Sequence, residues 1–163
     1  MAQKNSKSKP KPDLSVVVVT PGKYELISST IQNLRKQTVT KQMEIVIVTS
    51  RKEVLGLAEQ ELKDFLQFQV VEAGEFRTRS KGAFLGIRSA KAPVVTLLEN
   101  HCYAEPEWAE ALIEAHKQPW AAVGPVVGNA NPQTINSYVN FCMFYNSFIT
   151  PIHGREVDSL PWH

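Results

Sequence analysis

The chain has 163 residues, 43% hydrophobic and 21% charged, enough for one globular domain with a real core. No apolar stretch approaches the ~20 residues that span a bilayer, and the N-terminus lacks the apolar middle of a secretory signal, so a cytoplasmic protein is expected. The formal charge of +2 is uneven: Lys4, Lys7, Lys9 and Lys11 precede the first acid, Asp13, and without them 14 basic residues face 16 acidic ones. A nucleic-acid binder carries its basic surplus on the folded part, so no nucleic-acid partner is expected. Cys102 and Cys142 are too few for a disulfide framework and do not form a C-x-x-C pair, which leaves reduced thiols as the expectation.

Residues 1–12 mix Lys, Ser, Asn, Gln and Pro with almost nothing apolar to bury, and read as a disordered basic tail. Its lysines solubilise the tail or meet anionic lipid, so peripheral association with the cytoplasmic face of a membrane stays open. Leu14 to Thr20, with four consecutive valines, is a buried strand that stops at the turn Thr20-Pro21-Gly22. The segment from Lys23 to Gln37 places Leu26, Ile27, Ile31 and Leu34 on one helical face. A second buried strand, Glu44 to Val48, ends in Thr49 and Ser50, and a helix is expected from Glu53 to Gln67.

A short strand at Gln69 to Glu72 leads into the basic segment Phe76-Arg77-Thr78-Arg79-Ser80-Lys81-Gly82, ahead of a helix expected over Ala83 to Ala90. Cations at a helix N-terminus join free backbone N–H groups in favouring a phosphate, although a solvated helix start is the commoner meaning. Val94 to Leu98 reads as a strand buried on both faces. Glu105-Pro106-Glu107 opens a helix whose inward face is Trp108, Ala109, Leu112, Ile113 and His116, and Pro119 stops it. A fifth strand is expected at Ala121 to Val127, and the aromatic-rich segment Ile135 to Ile149 as a core-facing helix. Alternating strands and helices imply an α/β fold with a mostly parallel central sheet and helices on both faces.

The polar end of the Val94–Leu98 strand organises the site. Glu99 and His101, two residues apart, project to one side if the strand geometry persists, and both can ligate a dication. An oxygen and nitrogen pair suits manganese or zinc better than calcium, but two ligands alone do not make a site. In open α/β sheets, ligands bind at such carboxyl ends of strands. Thr20-Pro21-Gly22, Thr49-Ser50 and the basic segment lie at the same pole, and together they suit a nucleotide diphosphate. No G-x-G-x-x-G follows the first strand, and neither G-x-x-x-x-G-K-[ST] nor G-x-S-x-G occurs.

In order and spacing, the chain from Leu14 onward resembles the family 2 glycosyltransferases of the GT-A (nucleotide-diphospho-sugar transferase) Rossmann-like fold. The resemblance rests on Leu14 to Glu25, on Glu44 to Ser50, and on Gly86 to Leu98 leading into Glu99-Asn100-His101 at the place of the family's Asp-x-Asp. Pro106, Trp108 and Ala121 to Pro125 also fit. The resemblance implies a hexosyltransferase-type enzyme, metal-assisted and inverting, that moves a sugar from a nucleotide-diphosphate sugar to a saccharide, lipid or protein acceptor. It implies a GT-A nucleotide-sugar-binding domain over residues 13–163. Thr20, Pro21, Thr49 and Ser50 would then border the nucleoside, Arg79 the phosphates or nucleoside, and Glu99 the ribose. Glu99 and His101 would contact a divalent metal, manganese or magnesium.

Three departures from the family stand out. Thr49 and Ser50 replace an acid, Glu-Asn-His replaces Asp-x-Asp and weakens the charge available to magnesium, and Phe84 is apolar where relatives are polar. The resemblance places the catalytic base, a carboxylate, beyond His163, so that the acceptor half is incomplete. Two alternatives stand beside this reading. One is a non-catalytic GT-A-like fragment with Tyr138 to Phe148 as an interaction surface. The other is a nucleotidyltransferase, for which Thr20-Pro21-Gly22-Lys23 is a poor basic loop.

Overall fold

Four parallel strands carry the chain's β-branched runs. The computed structural model describes residues 10–57, 59–75, 78–145, 148–149 and 157–158; the basic residues Lys4, Lys7, Lys9 and Arg77, with Phe76 and the segment Leu160 to His163, lie outside them. In chain order the elements are β1 (Leu14–Thr20), α1 (Glu25–Leu34), β2 (Met43–Thr49), α2 (Lys52–Leu55), β3 (Gln67–Glu72), α3 (Arg79–Ser89), β4 (Val94–Leu98), α4 (Trp108–Ala115) and α5 (Ile135–Tyr145). The sheet order is β3-β2-β1-β4. Register aligns Leu14 with Met43 and Val94, and Thr20 with Thr49.

The two-residue period of β1 sorts its side chains between two apolar clusters. Val16 and Val18 join Ile45 and Ile47 of β2 beneath Ile27, Ile31 and Leu34 of α1 and Ala109 of α4. Val17 joins Val46 and Val48 on the opposite face, where α3 packs. The approach there is close: a Cβ on Gly86 would collide with Val17 Cγ1 and lie 2.9 Å from Val48 Cγ2. Helices therefore cover both faces, as expected, and a small residue sets how near α3 can come.

Several local expectations are corrected. The helix foreseen over Glu53 to Gln67 breaks after Leu55, because Gly56 takes a left-handed conformation (φ 60°) that closes α2, and a 3₁₀ turn, Glu59–Leu62, follows. Leu26 is 55% exposed rather than inward, lying against the turn at Gly22. Helix α3 begins at Arg79, so Arg79 and Lys81 sit within its first turn instead of ahead of it. Strand β4 is at the sheet edge with Leu97 52% exposed, so it is not buried on both faces.

Residues 1–114 and 115–163 form two compact units. In the second, Ala121 to Val127 forms no strand, since Pro125 lacks an N–H and Gly124 packs no side chain. Val127 N–H instead donates to Phe148 O at 2.9 Å. Thr134 caps α5, its hydroxyl accepting from Ser137 N–H at 3.1 Å. The helix is not core-facing: none of its described residues is buried, and Ile135, Tyr138, Met143 and Phe144 are exposed.

Candidate functional site at the carboxyl ends of the strands

Strand geometry does not persist past Leu98. The chain turns at Asn100 and His101, and Cys102 N–H donates to Glu99 O at 3.1 Å. A turn with that bond brings its first and fourth residues together. Glu99, His101 and Cys102 thereby bring a carboxylate oxygen, an imidazole nitrogen and a thiol sulfur within 4.8 Å of one another. His101 Nε2 lies 3.0 Å from Glu99 Oε2, and Nδ1 lies 3.1 Å from Asn100 Oδ1.

Arg79 reaches this group from the first turn of α3, Nη1 lying 2.7 Å from Glu99 Oε1. Both partners are more than a third exposed, so the pair fixes geometry more than it stabilises the fold. Burial, and then the Glu99 carboxylate beside it, push the Cys102 thiol above its ordinary pKa. A cleft of roughly 240 Å³ opens next to Arg79 and Glu99, walled by Val17, Val19, Ser80 and Ala83. It lies on the α3 face of the sheet.

Thr20 and Thr49 pair across β1 and β2, but their side chains fall on the α1 face and are fully buried. Thr20 Oγ1 accepts from Gly22 N–H at 3.4 Å, and Thr49 Oγ1 lies 3.5 Å from Arg51 O. Beside them, Ser50 Oγ donates to Pro21 O at 3.1 Å. Thus Arg79, Glu99 and His101 form one group, and Thr20, Pro21, Thr49 and Ser50 another at the tips of the central strands.

Two residues that hold the site are not apparent from its motif. Thr30, buried on α1, donates to Asn100 O at 2.9 Å. Gln37, just past α1 and 4% exposed, donates to Glu105 O at 2.7 Å and accepts from Ala109 N–H at 2.8 Å, which satisfies a free amide at the start of α4. Thr30 and Gln37 therefore anchor the segment from Asn100 to Ala109 at both ends. The available signal was one polar residue, Thr30, on the otherwise apolar stripe of α1 and a second, Gln37, just beyond its end.

Solved structures share this architecture. TarS 1–349 of S. aureus is 19% identical with a TM-score of 0.55, the match covering 74% of this chain and 43% of that one. The same fragment in complex with UDP-GlcNAc gives 19% and 0.52, covering 75% and 39%. The mannosyltransferase PcManGT from Pyrobaculum calidifontis, in complex with GDP-Man and Mn2+, is 22% identical with a TM-score of 0.53, covering 72% and 34%. At these identities the likeness is one of fold, and it defines a GT-A α/β domain. The family described as Glycosyl transferase family 2 matches residues 15–155, and the chain belongs to it. No curated protein matches. The chain spans between a third and about two-fifths of these three structures. Among the described residues, no helix is long and apolar enough to cross a membrane.

Proposed function

We propose that residues 13–163 are the nucleotide-sugar-binding part of an inverting glycosyltransferase. The observation that carries this is the meeting of Arg79, Glu99 and His101 beside a cleft at the carboxyl ends of β1 and β4. The neighbours' complexes with GDP-Man and UDP-GlcNAc support the ligand class. The cleft volume suits the diphosphate and sugar rather than a whole donor. The nucleoside would extend over Pro21 and Ser50, while Thr20 and Thr49 keep those tips in shape.

Arg79 and Lys81, with the free N–H groups of the first turn of α3, would bind the diphosphate. The donor atoms of Glu99 and His101 fit a divalent cation, whose Lewis acidity would offset charge on the departing diphosphate. When donor phosphate arrives, Arg79 can move from Glu99 to a phosphate oxygen, freeing Glu99 for ribose or cation. No base is assigned among the described residues; inversion and a cytoplasmic site of action rest on the family and sequence readings.

Calorimetry of UDP and GDP with and without Mn2+ tests this. Glu99→Ala and His101→Ala should each weaken the Mn2+-dependent binding at least about tenfold. Arg79→Ala should lose one charge-assisted contact, about 1.5–3 kcal/mol. Binding indifferent to all three changes would remove the reading.

A second reading, a GT-A-like interaction module, draws on the exposed Ile135, Tyr138, Met143 and Phe144 of α5. Gel filtration separates them: a monomer that binds nucleotide disfavours the module. The nucleotidyltransferase alternative gains nothing from the Thr20-Pro21-Gly22 turn, which has only Lys23 as its cation.

A further inference from the structure

The turn after β4 assembles three donor atoms of different chemical character. Two ligands bound to one zinc ion at tetrahedral angles stand about 3.3–3.6 Å apart, given metal–nitrogen and metal–sulfur bonds of ~2.0–2.3 Å. The 4.8 Å spread of Glu99, His101 and Cys102 is within side-chain rotation of that geometry. The turn is also pre-formed. Its backbone is held by the Cys102-to-Glu99 bond and by Thr30, and the His101 ring is oriented by Asn100.

A thiolate changes what such a site prefers. Oxygen donors suit magnesium and manganese, whereas a mixed sulfur, nitrogen and oxygen set suits zinc and its spectroscopic substitute cobalt. Three protein ligands leave a fourth tetrahedral position, the arrangement of zinc sites that admit substrate. Arg79 occupies Glu99 Oε1 and leaves Oε2 facing His101. One carboxylate and one thiolate neutralise a dication, so the Arg79 charge stays available to an anion.

We propose that Cys102 is a third protein ligand of this site and makes it select zinc over magnesium and manganese. This rests on the reading that a dication and a diphosphate meet at Glu99 and His101. Metal uptake releases the thiol proton to solvent.

Titration of the full chain with Co2+ in a metal-free, phosphine-reduced buffer tests the assignment. The expected result is a near-ultraviolet sulfur-to-cobalt charge-transfer band, removed by Zn2+ and not by Mg2+. The band should vanish in Cys102→Ser and persist in Cys142→Ser. Zinc affinity, measured by chelator competition, should fall at least tenfold in Cys102→Ser while manganese affinity moves less than threefold. Absence of the band from the unsubstituted chain, or its survival in Cys102→Ser, overturns the proposal. Should Cys102→Ser not fold, alkylation mapped by mass spectrometry decides: Zn2+ must protect Cys102 and not Cys142. Nucleotide binding with Mn2+ but no sulfur band would defeat the Cys102 assignment and leave the donor reading standing. A sulfur band with no nucleotide binding under any metal would do the reverse.

Discussion

Ser15 and Glu44 are directly paired neighbours in β1 and β2, both fully buried, and the Ser15 hydroxyl donates to the Glu44 carboxylate. The same hydroxyl accepts from Ala92 N–H, and Glu44 also accepts from Gln67, Gln69 and the Lys91 N–H. A buried carboxylate thus gathers β1, β2, β3 and the entry to β4 at the pole opposite the site. Glu44→Ala strips the acceptor from the buried Ser15 hydroxyl and from the part-buried Gln67, Gln69 and Lys91 N–H donors, and should cost more than the loss of Ser15 alone. Ser15→Ala should cost about 1–3 kcal/mol, the penalty for one buried group left unsatisfied. Urea unfolding of the two variants checks the order; equal, small losses would mean water replaces the carboxylate.

The contact of Gly86 with Val17 and Val48 makes a second prediction. Gly86→Ala drives a methyl into two β-branched side chains that have little rotamer freedom. Overpacking of this kind costs about 1–3 kcal/mol, a fall of roughly 2–12 °C in melting temperature for a chain this size. Because Arg79 opens the same helix, nucleotide binding should weaken as well. A thermal melt and a calorimetric titration on one sample check both effects.

Thr30 touches the site only through Asn100. Thr30→Val keeps the shape and removes the hydroxyl, so stability should fall by about 1 kcal/mol. Metal affinity should fall by about tenfold because the turn presenting Glu99, His101 and Cys102 loses a tether. Thr30→Ser should restore much of it. A Co2+ titration at matched circular dichroism measures the effect, and unchanged affinity in Thr30→Val would deny the tether any part in metal binding.

Tyr24 is buried and donates to Glu61 at 3.0 Å; burial first, and then that carboxylate, raise its pKa well above the phenol value of 10.0. The folded chain therefore keeps a proton that the unfolded chain releases near pH 10. The stabilisation is fully present below pH 10 and is lost progressively as pH rises above it. Urea midpoints at pH 9 and pH 11 should fall less in Tyr24→Phe than in the unsubstituted chain, and equal declines would remove Tyr24 as the cause.

Much of this architecture was legible in the sequence. The runs Leu14–Thr20 and Val94–Leu98 became strands with the expected limits, since β-branched stretches bounded by proline and polar residues leave few alternatives. Pattern misled where one residue overruled periodicity: Gly56 ended a helix whose apolar spacing continued beyond it. It also misled at Ala121 to Val127, where valines suggested a strand but proline denied one. Glu99 and His101 do project to one side, but not by the geometry that the spacing suggested. They meet through a turn rather than an extended strand, and only that turn brings in Cys102. The burial of Thr20 and Thr49 follows from the alternation of β1 and β2, whose register sets Thr20 in line with Val16 and Val18 and Thr49 in line with Ile45 and Ile47 on the α1 face.

Helix α1 and the turn that follows it also set a spacing. Thr30, on α1, and Gln37, three residues past its end, hold Asn100 and Glu105, which are five residues apart. Five extended residues reach at most ~17–18 Å, which bounds what the intervening chain can span. Exchanging side chains at 99, 101 or 102 leaves both anchor points in place, whereas inserting or deleting a residue between them does not. The side chains of this pole can therefore be exchanged without moving its two anchor points.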